Sequence, residues 1–437
     1  MKYSDEIADE AITPGGELDN QLLEDEYLKS EKGKMNTLQF CINLMKGIAG
    51  TGSLSIPYAF KMVGIIPGLF LFFLVCCMMI LATYQLLEIN NNMGNRRILG
   101  LKSIKTNNVY AEMVYNVLGT SGYRAYVVFS LITLYGSNIG SLIAASKSLS
   151  QVPFTSGSSD SRYTISLIIS TVICLILSIL KDPTMLVPIS TFGLVAIIVS
   201  YAVLVIFGWS KYKPSFVGSD LWPVSFADLL QNIGLFVYCM GFILFLLTQY
   251  KYIRRDCRKN VVRSTGVSIT IMAIIYSFLG ITLSQYYKNS EKGVQESIIT
   301  SLPDGFALGW LLNLMMWFTV VGGFPLWMEP INETIEGDDV EHGKVFISSR
   351  KYLILRTVEI VLMGLVACLV PSFADVLSLI GNFTDVLTTF IFPAVMHIVF
   401  FRNRTSTTIM GLDMATLVVS VIIMIICTSL SLKKFFK

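Results

Sequence analysis

The segment QFCINLMKGIAGTGSLSIPYAF, Gln39 to Phe60, holds the residues best placed to do chemistry. Gly50, Thr51, Gly52 and Ser53 lie in the middle of an apolar run, with Lys46 just before them and Pro57 just after. Glycine costs a helix interior about 1 kcal/mol and proline about 3 kcal/mol relative to alanine. Backbone groups left unpaired in hydrocarbon are costlier still, unless protein or a cavity satisfies them. A break here would offer freed N–H groups to an anion and freed carbonyls to a cation. An α-amino acid carries both charges and suits such a site. The same glycines could instead form a close helix–helix contact.

A second interruption occurs in NIGLFVYCMGFILFLLTQY, where Gly234 and Gly241 punctuate another apolar run and Tyr238 and Phe242 flank the latter. Paired interruptions in two halves of a chain predict inverted repeats around a shared site. Tyr135 and Trp317 are further aromatic candidates for a pocket lining. Ionisable residues inside apolar runs are functional candidates by default. Asp385, among Thr384, Thr388 and Thr389, is the most embedded carboxylate. It could accept a proton, partner a buried lysine or cap a helix after Gly381. Lys46 could hold an anion or an open helix, or snorkel to the interface. Glu359 is expected to pair with Arg356 near the interface, Glu329 to cap a helix end, and His397 to pack as a polar group facing Arg402. Glu88, Asp228 and Asp375, near the ends of apolar runs, are expected to be solvated.

These residues need a membrane to position them. The chain has 437 residues, 53% apolar and 14% charged, whereas soluble domains carry about 25% charged residues. Mean hydropathy is +0.64. Eleven apolar segments can be picked out. They are Phe40–Phe60, Ile65–Ile89, Tyr123–Ser146, Thr164–Leu180, Met185–Trp209 and Phe226–Tyr250. The remainder are Val261–Leu283, Phe306–Met328, Tyr352–Val370, Val376–Phe400 and Ile409–Leu432. Most reach the roughly 20 residues a membrane helix needs. Asn107 to Gly122 is amphipathic and is expected to lie on the membrane surface before span 3. Spans 1 and 6 would open two five-helix repeats, with span 11 as an addition.

Lys and Arg set the expected orientation. Lys251, Arg254, Arg255, Arg258, Lys259 and Arg263 follow span 6; Arg96, Arg97, Lys102 and Lys105 follow span 2; Arg402 and Arg404 follow span 10. All are even-numbered connections, which puts the N-terminus in the cytoplasm. The sequons at Asn332, Asn382 and Asn403 then fall in cytoplasmic or intramembrane positions and should stay unmodified. Residues 1–35 are acidic, without an apolar run, so they read as a disordered cytoplasmic tail rather than a signal peptide. Residues 36–437 form the transmembrane domain. The net charge of +3 gives no reason to expect nucleic acid. Eight cysteines fit neither a zinc site nor a disulfide framework. With only two histidines, His342 and His397, and no HExxH pair, neither an enzyme nor a metal cofactor is expected.

NLMKGIAGTGSLSIPYAF resembles the first-span motif of the amino acid/auxin permease family, a GxG followed by a Pro-Tyr-Ala-Phe-like end. FPLWMEPINETIE, Phe324 to Glu336, and the stretch Leu355 to Ile398 are similar to spans 8 to 10 of its proton-coupled and fungal vacuolar branches. The resemblance covers roughly residues 36 to 432. It implies a leucine-transporter-like fold of eleven helices, a 5+5 inverted repeat plus one. It also implies ion-coupled secondary transport of amino acids, with neutral ones expected, through a pocket between spans 1, 3, 6, 8 and 10. Gly50, Thr51, Gly52, Ser53, Tyr135, Tyr238, Gly241 and Phe242 would bind substrate. Asp385, Thr319 and Lys46 would couple the ion, H+ or Na+, with the Thr319 hydroxyl joining span-1 carbonyls around sodium. Where proton-coupled members carry a span-1 histidine, this chain has Asn43, which does not titrate. The membrane would be plasma or vacuolar/lysosomal. The alternative is an amino-acid-sensing receptor on the same scaffold.

Overall fold

In the computed structural model, the described residues are 35–97, 106, 108–153, 158–179, 187–214, 216–303, 307–336, 350–370, 373–402 and 406–435. The acidic tail up to residue 34, Asn107, Asn403 and most of the connection after span 8 lie outside them. Among the described residues the protein is helical, and its one extended pairing is an isolated bridge between Met35 and Ile253. Ten helices among the described residues are long and apolar enough to cross a membrane. The eleventh expected span is span 1, which lies outside that set and is built as two 12-residue helices, Thr37–Ile48 and Gly52–Val63. Phe73 and Ile206, at 69% and 68% exposed, are among many large apolar side chains on outward faces. Water would penalise such surfaces; lipid does not.

Span 1 starts from a reciprocal cap. Asn36 Oδ1 accepts the Gln39 N–H, and Gln39 Oε1 accepts the Asn36 N–H, which satisfies two otherwise orphaned donors. Met35 then pairs through its own backbone with Tyr252 and Arg254. The start of span 1 and the cationic stretch after span 6 therefore occupy the same end of the helix bundle.

Three expectations about local structure need correction. The stretch before span 3 is a helix of its own, residues 109–118, divided from span 3 by non-helical backbone at Gly119, whose φ of 72° suits glycine, but it is buried and does not lie on the membrane surface. Its amphipathic stripe meets protein instead of lipid: Tyr110 is buried against Tyr126, and its hydroxyl donates to the Thr388 carbonyl at 2.7 Å. Span 8 runs Ala307–Glu336 through Pro325 and Pro330, so Glu329 sits inside the helix and does not cap it. Gly234 does not interrupt span 6, whose first helix, Phe226–Cys239, passes straight through it.

Gly234 instead lets two backbones touch. A Cβ on Gly234 would lie 2.2 Å from the Ser378 carbonyl oxygen, and one on Gly381 would lie 1.9 Å from the Gly234 oxygen. Spans 6 and 10 thus meet glycine to glycine. Span 10 is itself irregular: Phe373–Ile380, π-helical Gly381–Asp385 and Leu387–Ile391, then Phe392–Phe400. Gly381→Ala is expected to destabilise the protein by about 1–3 kcal/mol through overpacking, read as a lower melting temperature in detergent. Gly218→Ala, with nothing near its added Cβ, should leave melting unchanged.

Candidate substrate site

The site is made where spans 1 and 6 lose their helical winding beside each other. Span 1 unwinds at Ala49, Gly50 and Thr51; span 6 unwinds at Met240, Gly241 and Phe242, before resuming as Ile243–Lys251. Gly52 lies against span 6 so closely that a Cβ there would be 2.8 Å from the Cys239 Cα. The Cys239 thiol donates to the Gly52 carbonyl at 3.0 Å, and the hydroxyls of Thr51 and Tyr238 are 3.0 Å apart.

Freed carbonyls at the end of the first half of span 1 find donors from other spans. The Tyr276 hydroxyl of span 7 donates to the Ile48 carbonyl at 2.9 Å. Lys46 Nζ donates to the Thr319 carbonyl of span 8 at 2.8 Å and to the Ala49 carbonyl at 3.4 Å. Lys46 is 1% exposed and does not snorkel. Two glycines make room for it: a Cβ on Gly193 would lie 2.7 Å from Lys46 Cε, and one on Gly323 would lie 3.2 Å from Nζ. At the start of the second half, the Ser53 and Leu54 N–H groups turn back to the Gly50 and Thr51 carbonyls at 3.2 and 3.1 Å, and the Ser53 hydroxyl also donates to the Gly50 carbonyl at 2.7 Å.

A cavity opens beside this break, lined by Lys46, Gly50, Thr51, Gly52, Ser141, Tyr238, Val320, Gly323 and Trp327 among others. Four of the eight residues expected to bind substrate, Gly50, Thr51, Gly52 and Tyr238, are on its wall. Ser53, Gly241 and Phe242 are buried within or next to the two breaks but do not line it. Tyr135 points elsewhere, to a hydrogen bond with Glu359 of span 9. Trp317 is also directed away, its indole N–H donating to Ser170 Oγ at 2.9 Å. Trp327, further along span 8, takes the wall position and packs edge-on against Phe245. Ser141 and Gly323 carry no sequence signal that separates them from the many small residues of these spans.

The expected ion-coupling residues are near but do not form one cluster. The Thr319 hydroxyl donates to the Gly193 carbonyl at 3.2 Å, while its own carbonyl receives Lys46. Asp385 is buried behind the span-6 break. Its Oδ1 accepts from Thr389 at 2.9 Å, and Oδ2 lies 3.0 Å from where a Gly241 Cβ would be. No cationic side chain pairs with it among the described residues. Asn43 joins a polar chain instead: its amide donates to Gln249 Oε1 at 3.3 Å, and Gln249 donates to Glu329 at 3.3 Å.

The family model for transmembrane amino acid transporter proteins matches residues 33–433. The chain belongs to that family. Among its relatives is the amino acid transporter AVT3A of Arabidopsis thaliana, 25% identical over 88% of this chain and 86% of that protein. AVT3B from the same plant is 26% identical over 90% and 92%, and the amino acid transporter ANT1 is 24% identical over 84% and 85%.

Lys46 allows a direct check of the site's architecture. Lys46→Met strips a charged donor from two carbonyls, and bonds to charged groups contribute about 1.5–3 kcal/mol. A lower melting temperature in detergent is expected; a lysine that merely snorkelled would give no shift.

Proposed function

We propose that this chain carries amino acids, chiefly neutral ones, across a membrane by alternating access around the paired breaks. The observation that carries the reading is the meeting of Thr51 and Tyr238 at 3.0 Å on the wall of a cavity, each beside unwound backbone. A zwitterion could exchange its carboxylate with the first N–H groups of Gly52–Val63 and its ammonium with carbonyls of residues 49–51. A receptor on the same scaffold would bind without flux, but relatives across nearly the whole length are named as transporters.

The coupling ion in this reading is the proton. Sodium would need the carbonyls of span 1 and span 8, and the Lys46 ammonium already holds those of Ala49 and Thr319. Asp385, buried at the span-6 break without a cationic partner among the described residues, is the proposed proton acceptor. The N-terminus is assigned to the cytoplasm, since Met35 sits with the Lys- and Arg-rich connection after span 6. The plasma membrane and the vacuolar membrane both satisfy that arrangement.

Counterflow of radiolabelled neutral amino acids in liposomes is the deciding experiment. Exchange should proceed equally in sodium and choline, and Gly52→Val should abolish it while still yielding monodisperse protein. Absence of exchange for every amino acid tried would rule the transporter reading out. Asp385→Asn is expected to keep counterflow but lose accumulation driven by a pH gradient. Undiminished accumulation would remove Asp385 from coupling.

A further inference from the structure

A second group of ionisable side chains lies away from the cavity, where the ends of spans 2 and 10 meet the start of span 11. His397 of span 10 is buried between two carboxylates. Its Nδ1 is 2.6 Å from Asp413 Oδ2 of span 11, and its Nε2 is 3.0 Å from Glu88 Oε2 of span 2. Asp413 is fully buried, and its other oxygen accepts from the Gln85 amide at 2.8 Å. Glu88 is 31% exposed and hydrogen-bonds Tyr84. His397 therefore faces Asp413 and Glu88 rather than Arg402, and Glu88 is engaged rather than simply solvated.

The two contacts cannot both be hydrogen bonds without an extra proton. A neutral imidazole has one N–H and one lone pair, and ionised carboxylates only accept. With a neutral ring and two ionised carboxylates, one lone pair would face a carboxylate oxygen within 3.0 Å. One more proton, on the ring or on a carboxyl group, turns that repulsion into a second bond. It also lowers the buried negative charge from two to one. The carboxylates lie on opposite ring nitrogens and share no common point, so the arrangement suits a proton and not a metal ion.

We propose that His397, Asp413 and Glu88 form a proton-binding latch that fastens the end of span 10 to spans 2 and 11. The bound proton closes the latch, and its departure through the partly exposed Glu88 releases it. Every packed neighbour is consistent with this assignment. Span 2 presents Glu88 and Tyr84 to the ring, and span 11 presents Asp413. Span 3 offers Tyr126 to the same helix, but that ring meets Phe392, and the π-helical Leu387–Ile391 carries no ionisable group. The latch has a soft hinge at hand, since π-helical winding separates His397 from the Asp385 region.

The inference assumes a moving transporter, so its test includes a readout independent of transport. Melting temperature of purified full-length protein is followed from pH 5 to 9 for wild type, His397→Gln and Glu88→Gln. One proton held only in the latched state changes that equilibrium by up to about tenfold per pH unit. The wild type should lose melting temperature as pH rises, and both variants should lose much of that slope. Counterflow at equal pH on both sides should show a wild-type pH step that the variants lack. Glu88→Gln, at the partly exposed edge, covers the case in which His397→Gln does not fold. Identical melting profiles in wild type and a folded variant would overturn the latch. Failure of counterflow in wild type, with the melting slopes as expected, would instead strike at the transporter reading.

Discussion

Everything in this structure turns on what becomes of backbone polar groups that a membrane helix releases when it unwinds. In hydrocarbon such groups must find partners within the protein. Around the break in span 1, Tyr276, Lys46, Ser53 and Cys239 supply donors to the carbonyls of Ile48, Ala49, Gly50 and Gly52. Those donors come from spans 1, 6 and 7, and Lys46 also reaches across to span 8. The break thus brings four spans to one place, and the cavity opens at that convergence.

Close packing supports the same arrangement. Gly193 and Gly323 clear a channel for the Lys46 side chain, Gly52 admits the Cys239 backbone, and Gly234 meets Gly381. Each removes a methyl group where a methyl would collide with a neighbour. The small-residue contact and the broken helix, which looked like competing explanations of the glycines in span 1, are both realised there. Gly47 packs under Phe245, within the helix, whereas Gly50 lies in the unwound turn.

The membrane class, the spans and the break at residues 49–51 were legible because hydropathy and glycine spacing are local properties of the chain. The cavity wall was half legible: Thr51 and Tyr238 sit beside the breaks that reveal them, whereas Ser141 and Trp327 arrive from distant spans. Tyr135 and Trp317 misled because an aromatic residue in a membrane helix gives no sign of which way it faces. The partners of Lys46 are backbone carbonyls, which no side-chain pattern discloses. Asp413 drew no attention near the start of span 11, and its pairing with His397 and Gln85 depends wholly on tertiary placement.

The π-helical stretch in span 10 has a geometric consequence for the whole chain beyond it. An α-helix advances about 100° per residue, and a π turn accommodates an extra residue before repeating. Two such stretches between Gly381 and Ile391 therefore shift the phase of everything downstream. A helical wheel drawn at constant pitch from Asp385 would assign His397 to the wrong face. Span 10 works as an offset crank, whose two ends address different neighbours although they belong to one continuous rod.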